Sequence, residues 1–178
     1  VFNRMSSTGK QCTLAMHVDD GLATCVDVEE LKKLDQEIRK EFNNEVESEI
    51  DCKTFDHVGI KVDTKDGTEA ELTMQAYIKE VCEEFGVKNF ATTPAADNLF
   101  KVTEEQPKLT KDGKDRFHRS VAQLLHLATR VRPDILLPIT FLCSRVSEPT
   151  TEDLTKLERV FRYLNGTSHL GITLGKYG

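Results

Sequence analysis

Apolar and polar residues alternate from Gln11 to Val18, which places Leu14, Met16 and Val18 on one face of a strand. Asp19-Asp20-Gly21 follows, and an Asp-Gly pair between two apolar runs predicts a hairpin with Leu22 to Val26 as its second strand. The period then changes. Val28, Leu31, Leu34, Ile38 and Phe42 recur at helical spacing, with Asp27 as cap and Glu30 completing a capping-box pattern. That helix should bury Leu31, Leu34, Ile38 and Phe42. Phe55 to Val62 reads as one further strand, Asp66-Gly67 as a turn, and Glu71 to Met74 as the strand after it. Gln75 to Phe85 is helical by its Tyr77, Ile78, Val81, Cys82 and Phe85 stripe, and Gly86 suits its C-terminal stop.

No sustained period runs from Val87 to Gly113, which reads as a connector. Beyond it, three helical stripes succeed one another. The first holds Phe117, Val121, Leu124, Leu125 and Ala128. The second opens at Pro133 and runs through Ile135, Ile139 and Leu142 to Val146. The third is capped by Thr151 and ends at Asn165-Gly166. Leu170 to Leu174 closes the pattern as a short strand. The expected class is α+β: an antiparallel sheet with packing helices over 1–86, a connector over 87–114 and a helical bundle over 115–178.

Composition narrows the picture. The 178 residues are enough to bury a core without metals or disulfides. No apolar run approaches the length of a membrane span, and Val1 to Lys10 lacks the apolar heart of a signal peptide. Five cysteines, none in CxxC spacing, suggest free thiols in a reducing compartment. The net charge of −6 speaks against a nucleic-acid partner, but it is unevenly spread. Residues 1–114 carry 15 Lys and Arg against 24 Asp and Glu, while 115–178 carry 9 against 6. The ends, Val1 and Lys176-Tyr177-Gly178, read as cut from something longer, with Met5 as an alternative start.

The local feature with the most chemistry is His17-Val18-Asp19-Asp20-Gly21. Two adjacent carboxylates on a tight turn repel each other unless a cation intervenes, and oxygen-rich sites suit Mg²⁺ or Mn²⁺. Two-metal polymerases use such carboxylates. Any surface hairpin also uses Asp and Gly for their turn backbone, so the motif alone leaves both readings open.

The rest of the chain resembles the copia-type LTR retrotransposon reverse transcriptases, in the family's own order. The x-Val-Asp-Asp hairpin comes first, and then the Val28-to-Phe42 helix. Phe55-Asp56-His57-Val58-Gly59-Ile60 and Thr73-Met74-Gln75-Ala76-Tyr77-Ile78 follow. The densest match is Phe117-His118-Arg119-Ser120-Val121-Ala122-Gln123-Leu124-Leu125, then Arg132-Pro133-Asp134-Ile135, and then Arg159-Val160-Phe161-Arg162-Tyr163-Leu164.

The resemblance implies an antiparallel palm sheet, here its C-terminal half, followed by a helical thumb and connection region that leads toward an RNase H domain. The implied activity is RNA-directed DNA polymerisation by an intact Pol polyprotein, with this stretch inactive alone. Its partners would be an RNA or DNA template-primer and deoxynucleoside triphosphates, with two Mg²⁺ or Mn²⁺ ions and no membrane. The location would be intracellular: a cytoplasmic virus-like particle, or the nucleus. Asp19 and Asp20 become the catalytic, metal-binding carboxylates, and a third Asp is expected upstream of Val1 together with the fingers. His17 and Val18 fall near the primer end, although His17 also reads as a packed surface residue. Gly59 lies in a primer-supporting segment, either for close backbone approach or as a plain bulge. Arg119, Arg130, Arg159 and Arg162 become candidate phosphate contacts, whereas Arg132 reads first as a partner of Asp134. A catalytically inactive remnant that binds nucleic acid or a protein is the alternative.

Overall fold

The computed structural model describes the whole chain except residues 44, 65–67, 104 and 176–178. Its class is mixed α+β. Two small antiparallel sheets and five α-helices are present among the described residues, with the helices concentrated in the C-terminal half. The Asp66-Gly67 turn expected from sequence lies outside the described residues. No described helix is long and apolar enough to cross a membrane.

The chain divides into two units, Val1–Ala70 and Glu71–Gly178. The sequence reading drew this border after Gly86. The helix Gln75–Phe85 falls instead with the C-terminal helices, against which it packs through Ile78, Val81 and Cys82.

In the first unit, β1 (Phe2–Met5), β2 (Gln11–His17) and β3 (Asp20–Cys25) form an antiparallel sheet in that order. β1 had no counterpart in the sequence pattern. Residues directly opposed across the ladder share a face. Arg4, Cys12 and Cys25 therefore lie on one side with Leu14, Ala23, Met16 and Gly21. That side faces α1 (Val28–Glu41): Arg4 pairs with Glu30 and Glu37, and Cys12 is 2% exposed. The Asp27 side chain accepts from the Glu29 amide and caps α1. Glu30 does not complete the expected capping box, because its carboxylate turns to Ser7 and Lys33. Leu31, Leu34 and Ile38 are half-buried, whereas Phe42, expected inside, is exposed at the helix end.

The single strand expected over Phe55–Val62 is a hairpin, β4 (Thr54–His57) and β5 (Ile60–Asp63), closed by Val58-Gly59. Both loop residues have positive φ, 51° and 73°, as a type I′ turn requires. Gly59 is thus a turn glycine and not a bulge, and a Cβ built there meets no atom of this chain within 4 Å.

The second unit holds the principal core. After β6 (Glu69–Thr73) at the unit border, α2 (Gln75–Phe85) ends on Gly86 in the left-handed conformation, as expected. α3 (Lys111–Arg130) starts six residues before the first residue of its apolar stripe, because the Thr110 side chain accepts from the Gly113 amide. Pro133–Ile135 forms one 3₁₀ turn and leads into α4 (Leu136–Cys143), which stops three residues short of the expected Val146. α5 (Thr151–Gly166) is capped by Thr150, not Thr151, through a reciprocal capping box with Asp153. β7 (Ile172–Gly175) follows. Phe117, Leu124, Ile135, Ile139, Leu157, Phe161 and Leu164 are all essentially inaccessible, and Phe85 stacks on Phe161 at 4.0 Å.

Candidate functional site

The register of β2 on β3 fixes where the two carboxylates stand. His17 opposes Asp20, so the loop is Val18-Asp19, two residues earlier than the Asp20-Gly21 pair suggests. Gly21 is a strand residue opposite Met16, and a Cβ there would come within 3.1 Å of Met16 Sδ. Asp19 therefore sits at the tip. Asp20 begins β3 with its side chain on the face opposite α1, beside His17. His17, Val18, Asp19 and Asp20 are all exposed.

Val18 has φ 57° and is 88% exposed. A β-branched residue in the left-handed region is strained, by about 1–3 kcal/mol, and strain of this kind gathers at functional sites. Val58, first residue of the other loop, is held at φ 51°. The two loops meet: the Val58 amide donates to Oδ2 of Asp20 at 3.2 Å. This brings the Asp19–Asp20 hairpin and the Val58-Gly59 turn together, though 38 residues separate the bonded pair.

The donor set suits a hard divalent cation in part. Two neighbouring exposed carboxylates are oxygen ligands that repel each other when empty-handed. Yet no group of three or more His, Cys, Asp or Glu that could hold a metal ion occurs among the described residues. Asp19 and Asp20 by themselves would make only part of a ligand shell.

The four arginines proposed for phosphate contact all lie in the second unit, and each already has a neighbour. Arg119 pairs loosely with Glu84 at 3.7 Å and Arg162 with Glu158 at 2.5 Å. Arg130 Nε donates to His126 Nδ1, and Arg159 Nη2 to Thr93 Oγ1. Arg159 and Arg162 line an open groove of about 740 Å³ with Phe90, Thr92 and Thr155, and their Nε atoms lack acceptors. No sequence signal pointed to that groove.

Arg132 is structural, as its spacing to Asp134 suggested. It is 1% exposed and grips Asp134 through two bonds of 2.9 and 2.7 Å. Its remaining donors reach the Thr167 carbonyl and hydroxyl beyond the end of α5. Tyr163 completes the cluster by donating to Asp134 at 2.8 Å.

Comparison with known proteins shows distant retrotransposon similarity. The chain is 27% identical over 158 residues to a protein ascribed to transposon Ty5-1 of Saccharomyces cerevisiae, covering 86% of this chain and 49% of that one. It is 40% identical over 58 residues to an uncharacterized mitochondrial protein of Arabidopsis thaliana, covering 33% of this chain and 24% of that protein. The chain thus spans half or less of the curated relatives it matches. No family model matches it, and no solved structure matches it.

Proposed function

We propose that this chain is the carboxylate-hairpin part of the palm, with the adjoining thumb and connection helices, of a retrotransposon RNA-directed DNA polymerase. The observation that carries the reading is the exposed Asp19–Asp20 hairpin seated against the Val58-Gly59 turn through the Asp20–Val58 bond. The similarity to the transposon Ty5-1 protein over most of the chain supports it. So does the thin packing of the first unit, where Cys12 is the lone fully buried apolar residue among those described. A sheet that shields so little of its own surface suits a portion of a larger polymerase domain.

In that setting Asp19 and Asp20 would hold divalent ions, with further ligands coming from the rest of the polypeptide. Mg²⁺ or Mn²⁺ supplies Lewis acidity and charge neutralisation when bound. The chain's own contribution is placement. The turn projects Asp19 outward, and the Val58 amide fixes one oxygen of Asp20. His17 lies across the ladder from Asp20, where a primer terminus would approach. The turn at Val58-Gly59 stands beside it to support the strand. The second unit's arginines, with Arg130 bonded to His126 and Arg159 to Thr93 and not to a carboxylate, would meet template-primer phosphates without reading sequence.

The test is primer extension on an RNA template by a complete polymerase that contains this chain. Asp19→Asn and Asp20→Asn should fold normally and lose synthesis by at least on the order of 10²–10³-fold, the loss typical of deleting a preorganised transition-state contact. Wild-type extension by either variant would remove these carboxylates from the metal site. The isolated chain should not extend a primer. An incomplete carboxylate set in the complete polypeptide would favour a catalytically inactive remnant that binds nucleic acid.

A further inference from the structure

Cys12 and Cys25 stand directly opposite each other on β2 and β3. The two-residue loop makes His17–Asp20 the hydrogen-bonded pair that closes the hairpin. Hydrogen-bonded and non-hydrogen-bonded pairs alternate along an antiparallel ladder. Five rungs back from His17–Asp20, Cys12–Cys25 is a non-hydrogen-bonded pair. Opposed Cα atoms in such pairs lie about 4.5 Å apart, within the roughly 4.4–6.8 Å that disulfides span. Both side chains point to the face that α1 covers. The thiols are close enough to perturb one another: burial pushes the Cys12 thiol up, and the neighbouring Cys25 adds to the effect by charge and hydrogen bonding. Access differs between them, since Cys12 is 2% exposed while Cys25 is half-exposed. None of Cys52, Cys82 and Cys143 has a cysteine opposite it in the strand registers.

We propose that Cys12 and Cys25 form a reversible disulfide that clamps the base of the Asp19–Asp20 hairpin, with oxidised glutathione or a like small disulfide as oxidant. The Cys25 thiolate attacks one sulfur of the oxidant, whose S–S bond breaks. One glutathione leaves as thiolate and the other stays on Cys25 as a mixed disulfide. The deprotonated Cys12 then attacks the Cys25 sulfur and expels the second glutathione thiolate. Two protein thiols are oxidised, one disulfide is reduced, and the two protons end on the released glutathiones. The closed ring holds β2 and β3 in register beneath the carboxylates. Oxidation thereby changes the freedom of the hairpin without touching Asp19 or Asp20. This chemistry belongs to the hairpin itself and stands whether or not the polymerase reading does.

The experiment equilibrates the full chain with mixtures of reduced and oxidised glutathione, quenches in acid, alkylates the remaining free thiols in denaturant and maps the peptides. Digestion at Asp19 and Asp20 should yield two fragments held together by Cys12–Cys25, with Cys52, Cys82 and Cys143 alkylated, and excess reduced glutathione should separate them. Cys12→Ser should leave glutathione stranded on Cys25. A serine at buried position 12 can disturb folding, so Cys25→Ser provides a second arm: in the folded chain its Cys12 should take up no glutathione. Glutathione persisting on Cys25 of the wild-type chain, a bridge from Cys12 to any other cysteine, or free Cys12 and Cys25 where Cys52 is already modified would each overturn the proposal.

Discussion

The amide of Val58 and the carboxylate of Asp20 join two tight turns, 3.2 Å apart, that lie far from each other in sequence. A carboxylate oxygen accepting from a backbone N–H makes a charge-assisted bond, stronger than a neutral one. Asp20 is exposed, however, so water competes for both groups and the net contribution to folding is small. Its consequence is directional: one oxygen of Asp20 is held toward the Val58-Gly59 turn. Both turns place a valine at positive φ in the first loop position, where the preferred residues are Gly, Asn or Asp.

Val18 offers a direct measure of that strain. Its side chain is 88% exposed, so replacing it sacrifices almost no packing. Val18→Gly should stabilise the chain by about 1 kcal/mol, the relieved left-handed strain exceeding the extra backbone entropy of glycine. Urea denaturation followed by circular dichroism reads the shift in midpoint. A destabilised variant would mean that the valine is not strained. Gly59→Ala should act in the opposite sense. Its φ of 73° suits glycine, and the open space around it leaves backbone strain as the whole of the cost, about 1 kcal/mol.

These turns also show where sequence reasoning runs out. Val58, Ile60 and Val62 keep a period-two spacing across the turn itself, and a β-branched residue at position 58 argues for strand, not turn. Gly59 was the sole local hint, and it reads equally well as a bulge. The first hairpin is legible as a hairpin, but the Asp20-Gly21 pair places the loop two residues late. The actual register is the one that buries Cys12 beneath α1 and opposes Met16 with Gly21. Helices fared better, because caps and stripes are local: Asp27, Gly86 and the α5 stripe all stand where their chemistry puts them. The Arg132–Asp134 pair could be read from its spacing, whereas its bonds to Thr167 cross 35 residues. The Asp20–Val58 contact was equally beyond local pattern.

Arg132 is the charged residue whose loss should cost most. Arg132→Ala strips Asp134 of two bonds and leaves the Thr167 carbonyl without its donor. Breaking a buried pair from one side costs about 3–5 kcal/mol. Asp134 retains 36% side-chain exposure and can regain water, which places the expected loss near the lower bound. Arg132→Lys should recover little, since an ammonium cannot make the paired bonds. Equal denaturation midpoints for wild type and Arg132→Ala would refute the structural role.

Acid should undo the same cluster. Burial pushes the Asp134 carboxyl up, but hydrogen bonds from Arg132 and Tyr163 outweigh it and hold the group below its ordinary 3.8. A carboxyl depressed in the fold contributes stability that is fully present above its unfolded pKa. That contribution disappears as pH falls through the folded value. The difference in stability between wild type and Asp134→Asn should therefore be constant near neutrality and shrink below about pH 4. Stability measured against pH for the two chains tests this, and a gap that widens in acid would contradict it.

Alkali should act through Cys82, which lies within the second unit's core. Burial pushes its thiol up to about 11, and Sγ lies 3.7 Å from the Phe161 carbonyl. A group whose folded pKa is raised contributes stability present below its unfolded value of 9.0 and lost as pH climbs toward 11. The thiolate is the nucleophile, so Cys82 in the folded chain should also resist alkylation at mildly alkaline pH. Its labelling should begin only where urea unfolds the helices around it, while half-exposed Cys52 reacts in the native chain. Isotope-coded alkylation across a urea series separates the two sites by peptide. Native-state labelling of Cys82 as fast as that of Cys52 would show that the packing of α2 on α5 opens far more readily than its fully buried side chains imply.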